Sequence, residues 1–502
     1  MGHIEPVATG NELTILELPA VLTHLFAQAG QSLPVEPQET AGLFVRYLRR
    51  KAGRGLAVIY AVDDISSSQK TRVSDPRHSV SLTLEEEAMN GAQIGFNAAQ
   101  AYDASLRLLP SGVLQAPELG LSVQAFPADA HLPALAQSCD TTPGSLLFEA
   151  LQAAARAQLG DNGWRVISAS AEPVRYKPGS RCVIRYHVQL EQASTSEQRT
   201  LLIFGKVYAD PAQASNVQAL QQQLYDDQKS SDKFPLLPRP LGLIEHIGLT
   251  FNEAVQPAQN TGTDDGVWST LRTGTRAIQP RIEQGKEGAV ISNTLPEEEL
   301  RLTAQALARL HTSKVFPPEN TLRPGKKEAK RARERAALIA GRNPEQAAEV
   351  QQLATALASH LEQLQPEEYR PAHGGFKSSQ LLFHSHRVFV VDFDGFCRAD
   401  AALDVGYFLA YLRPSGLWYQ RAGMREWFDG AAALFRNTYQ EEMLGYGVAP
   451  ATIEGVLQRS RLYEAALIFK IATRRVNRLN SPRPQELSAM LHEISLCLPS
   501  ET

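Results

Sequence analysis

Cysteine is scarce: 502 residues carry four, Cys139, Cys182, Cys397 and Cys497, at no metal or redox spacing. That excludes a disulfide framework and suits a reducing cytoplasm. Long apolar runs are missing too; none approaches the roughly 20 residues a membrane span needs. The opening MGHIEPVATGNELTILEL has no basic stretch followed by an apolar one, so a secretory leader is not expected and the chain should stay in the cytoplasm. Charge of one sign is lacking as well. A net charge near −4 gives no electrostatic reason to expect nucleic acid or an anionic membrane as partner. What is present, 43% hydrophobic and 21% charged residues over a length too great for one core, describes globular material in two or three domains.

The stretch that concentrates chemistry is HGGFKSSQLLFHSHRVFVVDFDGFCRADAALD, residues 373–404. Its pattern predicts a loop, a hairpin of two apolar strands (380–383 and 388–391), an acidic turn and a helix. Asp392 and Asp394 fall where a valine-rich strand runs into a glycine-permitted turn, so two carboxylates are held at a rigid strand end. A hard divalent cation needs that placement, with open positions left for phosphate and water.

At these residues the chain resembles the aminoglycoside phosphotransferase and choline kinase family of the protein-kinase-like fold. That family's pattern is His-Gly-Asp, four residues, Asn, a short hairpin, Asp-Phe-Asp/Glu and a later Asp opening a helix. His373, Gly374, Asp392, Phe393, Asp394 and Asp404 match in order and spacing. Two positions depart: Gly375 stands where the family keeps its catalytic aspartate, and Gln380 where it keeps a metal-binding asparagine. Glutamine still offers a carbonyl oxygen, whereas glycine removes the expected general base.

The resemblance implies an α+β, bilobal fold with a β-rich small lobe and a helical large lobe. Here an N-terminal α/β module (1–145) would precede the small lobe (146–256) and the large lobe (257–502), whose catalytic-loop region is 371–404. It implies ATP and Mg²⁺ as cofactors and a small hydroxylated molecule as partner. His373 and Gly375 would belong to the catalytic loop, Asp392 would hold the principal metal, Gln380 the second, and Asp404 would brace the loop backbone. Asp394, His384 or His386 could replace the missing base. The alternative is a pseudokinase that binds nucleotide or a partner without turnover.

Upstream, residues 13–28 predict an amphipathic helix. The segment LRRKAGRGLAVIYAV (48–62) is written again as VRYKPGSRCVIRYHV (174–188), with Arg49, Lys51, Gly53 and Tyr60 answering Arg175, Lys177, Gly179 and Tyr186 at one constant offset. A second echo pairs 126–135 with 207–220 at a different gap. Duplication of a small β unit and chance recurrence of turn and strand residues both account for this. In the second copy Lys206 sits in the apolar strand LLIFGKVYAD, whereas Gln124 and Ala125 occupy the comparable region of the first. A lysine there must reach the surface or meet an anion; the resemblance implies the nucleotide phosphates. No glutamate follows to pair with it, and no G-x-G-x-x-G exists; the turn at Gly179 and Arg181 could cradle phosphate or be a plain hairpin.

The strands of 234–256 end at Glu253 in Phe-Asn-Glu-Ala-Val, which resembles the segment that meets the adenine edge. Residues 257–295 read as an irregular insertion. Helices are expected over 295–313, 325–341, 344–363, 404–412, 425–442, 460–479 and 484–498. His311 reads as a packing or capping residue. The basic helix with Lys326, Lys327, Lys330, Arg331 and Arg333 is either a solvated face or an attractor of phosphorylated ligands.

Overall fold

The computed structural model describes residues 43–51, 55–62, 79–84, 107–109, 112–117, 120–229, 236–255, 272–280, 282–285, 288–291, 294–477 and 482–499. The helix expected over 13–28 and residues 257–271 lie outside them. Two compact units emerge, 1–218 with 241–253, and 219–240 with 254–502. The class is the kinase-like α+β one read from the sequence, with a sheet-rich unit and a helical unit.

The first unit holds two antiparallel sheets. One contains β1 (Leu43–Lys51), β2 (Gly55–Val62), β3 (Ser79–Leu84), β4 (Arg107–Leu108), β5 (Leu114–Ala116) and β6 (Leu121–Ala125), in the order β1-β2-β3-β6-β5-β4. The other contains β7 (Trp164–Lys177), β8 (Arg181–Gln192), β9 (Gln198–Tyr208), β10 (Pro240–Ile244) and β11 (Leu249–Glu253), in the order β10-β11-β9-β8-β7. Strand β8 shows why a sheet forms: Cys182, Ile184, Tyr186, Val188 and Leu190 are all fully buried and their neighbours are not, the two-residue period of a half-covered strand. Helix α1 (Leu146–Leu159), which the sequence reading missed, starts where Ser145 Oγ accepts the Phe148 N–H at 3.1 Å. It packs Leu147 and Leu151 into the same core as Leu132, Leu135 and Tyr186.

The two copies of the repeated segment fold alike. Lys51↔Gly55, Arg50↔Leu56 and Arg49↔Ala57 correspond, at the constant offset, to Lys177↔Arg181, Tyr176↔Cys182 and Arg175↔Val183. In each sheet a three-strand meander is followed by a later strand that adds beside the third, β6 on β3 and β11 on β9. The second echo does not carry over, because 126–135 forms turns whereas 207–220 ends β9 and opens α2 (Pro211–Lys229). Gln124 therefore lies on the counterpart of β11. The register position that answers Lys206 is Thr83, since Lys206↔Val183 corresponds to Thr83↔Ala57.

In the second unit, β12 (Arg272–Thr273) leads into a single helical turn and the hairpin β13 (Ile282–Gly285) and β14 (Gly288–Ile291). The region read as irregular thus carries strands, and β12 pairs with Leu382 and Phe383 of the hairpin that follows His373. The helices are α3 (Glu297–His311), α4 (Gly325–Ala340), α5 (Ala347–Gln363), α6 (Ala402–Leu412), α7 (Met424–Gly445), α8 (Pro450–Val476) and α9 (Leu487–Cys497). All seven were expected; α8 begins ten residues early because Pro450 sits in the first turn, where its missing N–H costs nothing. One apolar core joins them through Leu307, Phe408, Phe435 and Ile468, each fully buried. Strands β15 (Arg370–Ala372) and β18 (Cys397–Ala399) pair at the base of the hairpin β16 (Leu381–His384) and β17 (Arg387–Val390).

Candidate active site

The loop from His373 to Gln380 is tied down by Asp404, in the first turn of α6. The Asp404 carboxylate accepts the His373 N–H at 2.6 Å and the Phe376 N–H at 3.4 Å, and His311 Nε2 approaches it to 3.5 Å. Burial alone would raise the Asp404 pKa; the His311 contact, the neighbouring His373 and the Phe376 N–H more than offset it, and the carboxyl stays below its ordinary range. His311 reaches Tyr439 Oη at 2.8 Å, so it links α3, α6 and α7.

His373 is itself buried, its ring 4.9 Å from that of Phe393. Burial pushes its pKa down and keeps it neutral. Its Nε2 lies 3.1 Å from the Val391 carbonyl, which requires the proton on Nε2 and leaves Nδ1 as an acceptor. That Nδ1 is buried without a partner. Gly374 has φ +72°, and a Cβ there would lie 2.1 Å from the Gly395 carbonyl oxygen, so only glycine fits. Gly375 is different: a Cβ would meet nothing closer than Gln380 Nε2 at 3.9 Å and His373 Nδ1 at 4.0 Å. The backbone has room for the absent carboxylate.

At the far end of the loop the hairpin joins Gln380 to Asp392. Val391 N–H donates to the Gln380 carbonyl at 2.9 Å, and Gln380 Nε2 donates to Asp392 Oδ2 at 3.3 Å. Gln380 Oε1 is buried and accepts nothing. Asp392 has φ +72°, a left-handed backbone that a non-glycine residue keeps only where its surroundings impose it. Asp394 follows in the next turn, half-buried. Among the described residues no group of three or more His, Cys, Asp or Glu side chains could hold a metal. Magnesium does not require one: it takes one or two protein oxygens and completes its shell with water and phosphate. An orphaned amide oxygen next to a carboxylate fits that demand. The histidines at the hairpin tip are placed otherwise, His386 Nδ1 lying 2.6 Å from Glu298 Oε1 and His384 Nε2 3.4 Å from Ser385 Oγ.

In the sheet-rich unit, Lys206 pairs in register with Val183 and Thr250, and Arg181 with Tyr208. Alternation puts Lys206 and Arg181 on one face as diagonal neighbours, opposite the buried Cys182, Ile184 and Val207. The Lys206 ammonium lies 5.0 Å over the Tyr208 ring. The Gly179 N–H is already committed, donating to Asp129 Oδ2 at 2.8 Å. Tyr176 Oη donates to the same oxygen at 2.8 Å. Glu253 ends β11 and accepts from Gln158 Nε2 at 3.2 Å.

Two residues the sequence reading passed over complete the loop. Arg323 donates to the Gly374 carbonyl at 2.6 Å, to Tyr407 Oη at 3.0 Å and to Glu328 at 2.8 Å. Gly274 packs so tightly under the loop that a Cβ would lie 2.2 Å from the Ser378 carbonyl oxygen. Neither carries a local signal beyond a lone arginine or glycine. On the basic helix α4, Lys326, Lys327, Lys330 and Arg333 are exposed, and Arg333 pairs with Glu362. That face is solvated.

Residues 276–441 match the model of the phosphotransferase enzyme family, the family that residues 373–404 resemble. No curated protein matches the sequence. Among solved structures the chain is similar to a glucosamine kinase at 15% identity, covering 91% of this chain and 92% of that one with a TM-score of 0.44. A putative aminoglycoside phosphotransferase from Ralstonia eutropha JMP134 is 16% identical, with 70% and 95% covered and a TM-score of 0.40. A choline/ethanolamine kinase family protein from Mesorhizobium loti is 12% identical, with 62% and 83% covered and a TM-score of 0.35.

Proposed function

We propose that this chain, whose residues 276–441 match the phosphotransferase enzyme family, transfers a phosphoryl group from ATP to a hydroxyl of a small metabolite or sugar. The observation that carries the reading is the Gln380 and Asp392 pair: the Asp392 carboxylate accepts from Gln380 Nε2 at 3.3 Å, and the amide oxygen of the same glutamine is buried without a partner. These two would hold Mg²⁺, with Asp394 beside them. When bound, the ion neutralises phosphate oxygens as charge moves in the transition state. Lys206 and Arg181, which share one face of their sheet, are assigned to the nucleotide phosphates, and the extended backbone at Glu253 to the base.

Asp404, His311 and Arg323 keep the loop in one conformation, and catalysis by positioning depends on that rigidity. At Gly375 the chain supplies no base. General-base assistance is worth about 10²–10⁴ in rate, so turnover should be slow but present. Gly375 is also the one observation that favours a catalytically impaired, nucleotide-binding regulator.

ADP formation from Mg·ATP with sugars, amino alcohols and aminoglycosides tests the choice. The native chain should turn over, Asp392→Ala and Lys206→Ala should not, and Gly375→Asp should be faster by about tenfold or more. A silent native chain with an active Gly375→Asp variant would instead support the regulator. Silence from both would end the phosphotransferase reading.

A further inference from the structure

Tyr407 and Tyr411 stand one turn apart on α6, and Lys470 and Arg474 one turn apart on α8, which packs against it. Lys470 Nζ is 3.1 Å from Tyr407 Oη, and Arg474 Nη1 is 3.2 Å from Tyr411 Oη. Two further cations meet the same rings. Arg323 reaches Tyr407 Oη at 3.0 Å, and Lys377, two residues after Gly375, lies 5.4 Å over Tyr411.

The acidic side is sparse. Glu328 is buried and already shared by Arg323 at 2.8 Å and Arg331 at 2.5 Å. Among the described residues no ion pair within 4.0 Å joins Lys470 or Arg474 to a carboxylate. Beside Arg474 opens a cavity of about 320 Å³, lined also by Arg413, Arg475, Tyr411, Ser415 and Trp418. Of its other two arginines, Arg413 is bound to Glu464 and Glu493 and Arg475 to Glu486, so Arg474 is the cation this cavity can offer.

A half-buried ammonium flanked by guanidinium groups and short of carboxylates is electrostatically unfavourable. Burial first, then Arg474, Arg335 and Arg323, bring the Lys470 pKa down to about 7, with only Glu328 acting in the other direction. An anion entering the cavity would relieve that repulsion, while the aromatic walls accept the carbon frame of a small molecule.

We infer that the cavity beside α6 and α8 binds an anionic group, a carboxylate or a phosphate ester, carried by the acceptor molecule. The word acceptor rests on the phosphotransferase reading; the anion site does not.

The test is calorimetric titration of the full chain, without nucleotide, with gluconate, glucose 6-phosphate, glucose and glucosamine at low and raised salt. At least one anion should bind about tenfold or more tightly than glucose, a difference of about 1.4 kcal/mol, and should weaken as salt rises. Arg474→Gln, at an exposed position, should weaken that anion about tenfold with no change in melting temperature. The ratio of gluconate to glucose 6-phosphate separates carboxylate from phosphate. Glucose or glucosamine binding as tightly as the anions, no anion bound at millimolar concentration, or an Arg474→Gln variant that binds as the native chain does would each overturn the inference. ADP formation is read separately. Anion binding without turnover would leave the site standing and remove the phosphotransferase reading, while turnover on neutral sugars alone would do the reverse.

Discussion

At the scale of single residues, two adjacent glycines in the loop from His373 to Gln380 have opposite reasons to exist. Gly374 is imposed by a left-handed backbone and by the Gly395 carbonyl, so Gly374→Ala should cost at least about 1–3 kcal/mol of unfolding free energy. Gly375 has no such constraint, and Gly375→Ala should be neutral or stabilise by about 0.4–1 kcal/mol. Urea denaturation of both variants checks this; an equal loss would mean position 375 is held for its backbone, not for the chemistry of its missing side chain. The same loop sets an acid limit. Asp404 has a folded pKa below the ordinary aspartate value of 3.8, so its stabilisation is complete above that value and is lost as pH falls through the folded one. His373, depressed from 6.5, favours the folded state fully above that pH and less as acid protonates the unfolded chain. Stability should therefore begin to fall below about pH 6.5, and His373→Gln should flatten that first part of the curve. An unchanged profile in the variant would show that the buried imidazole does not titrate with folding.

At the scale of elements, the turn between β7 and β8 depends on a side chain far away in sequence. Asp129, 2% exposed, takes the Gly179 N–H, the Tyr176 hydroxyl and its own neighbour His131 N–H, so it fixes the turn where the sequence suggested a phosphate cradle. Asp129→Ala leaves Gly179 N–H and Tyr176 O–H without partners at about 1–3 kcal/mol each, and should speed hydrogen exchange at Gly179. Unaltered protection there would mean that the hairpin holds itself. This contact also marks what a sequence can disclose. The hairpin of 373–404, the seven helices of the second unit and the repeated strand pair were legible because period, turn residues and motif spacing are local signals. Asp129, Arg323 and Gly274 were not, because their partners at Gly179, Gly374 and Ser378 lie tens of residues away and nothing beside them in the chain announces the bond. The strands within 257–295 escaped for the same reason, since short strands between glycines acquire their structure from pairing, as β12 does from β16.

At the scale of the molecule, the two sheets of the first unit are joined by more than a linker. Leu132 and Leu135, both fully buried, lie in one core with Cys182, Ile184 and Tyr186, and the Tyr186 hydroxyl donates to the Ser138 carbonyl at 2.8 Å. The segment 126–139 thus closes one end of the β7–β9 sheet, and the core runs across residue 145. Two buried leucines contribute about 1.5–3 kcal/mol each, and the Asp129 bonds add to that. Against a typical unfolding free energy of about 5–15 kcal/mol, losing all of them is enough to unfold a unit. A chain starting at residue 146 should accordingly be insoluble or lack cooperative unfolding, whereas one starting at residue 126 should keep a thermal transition for the β7–β11 sheet. Circular dichroism melting of the two truncated chains decides it, and equal stability of both would show that the small-lobe core does not need the residues before it. The repeated register gives this a direction: a sheet that repeats the strand order of its neighbour, but with Thr83 where the other has Lys206, lacks the lysine that the proposed function assigns to phosphate and is left with packing.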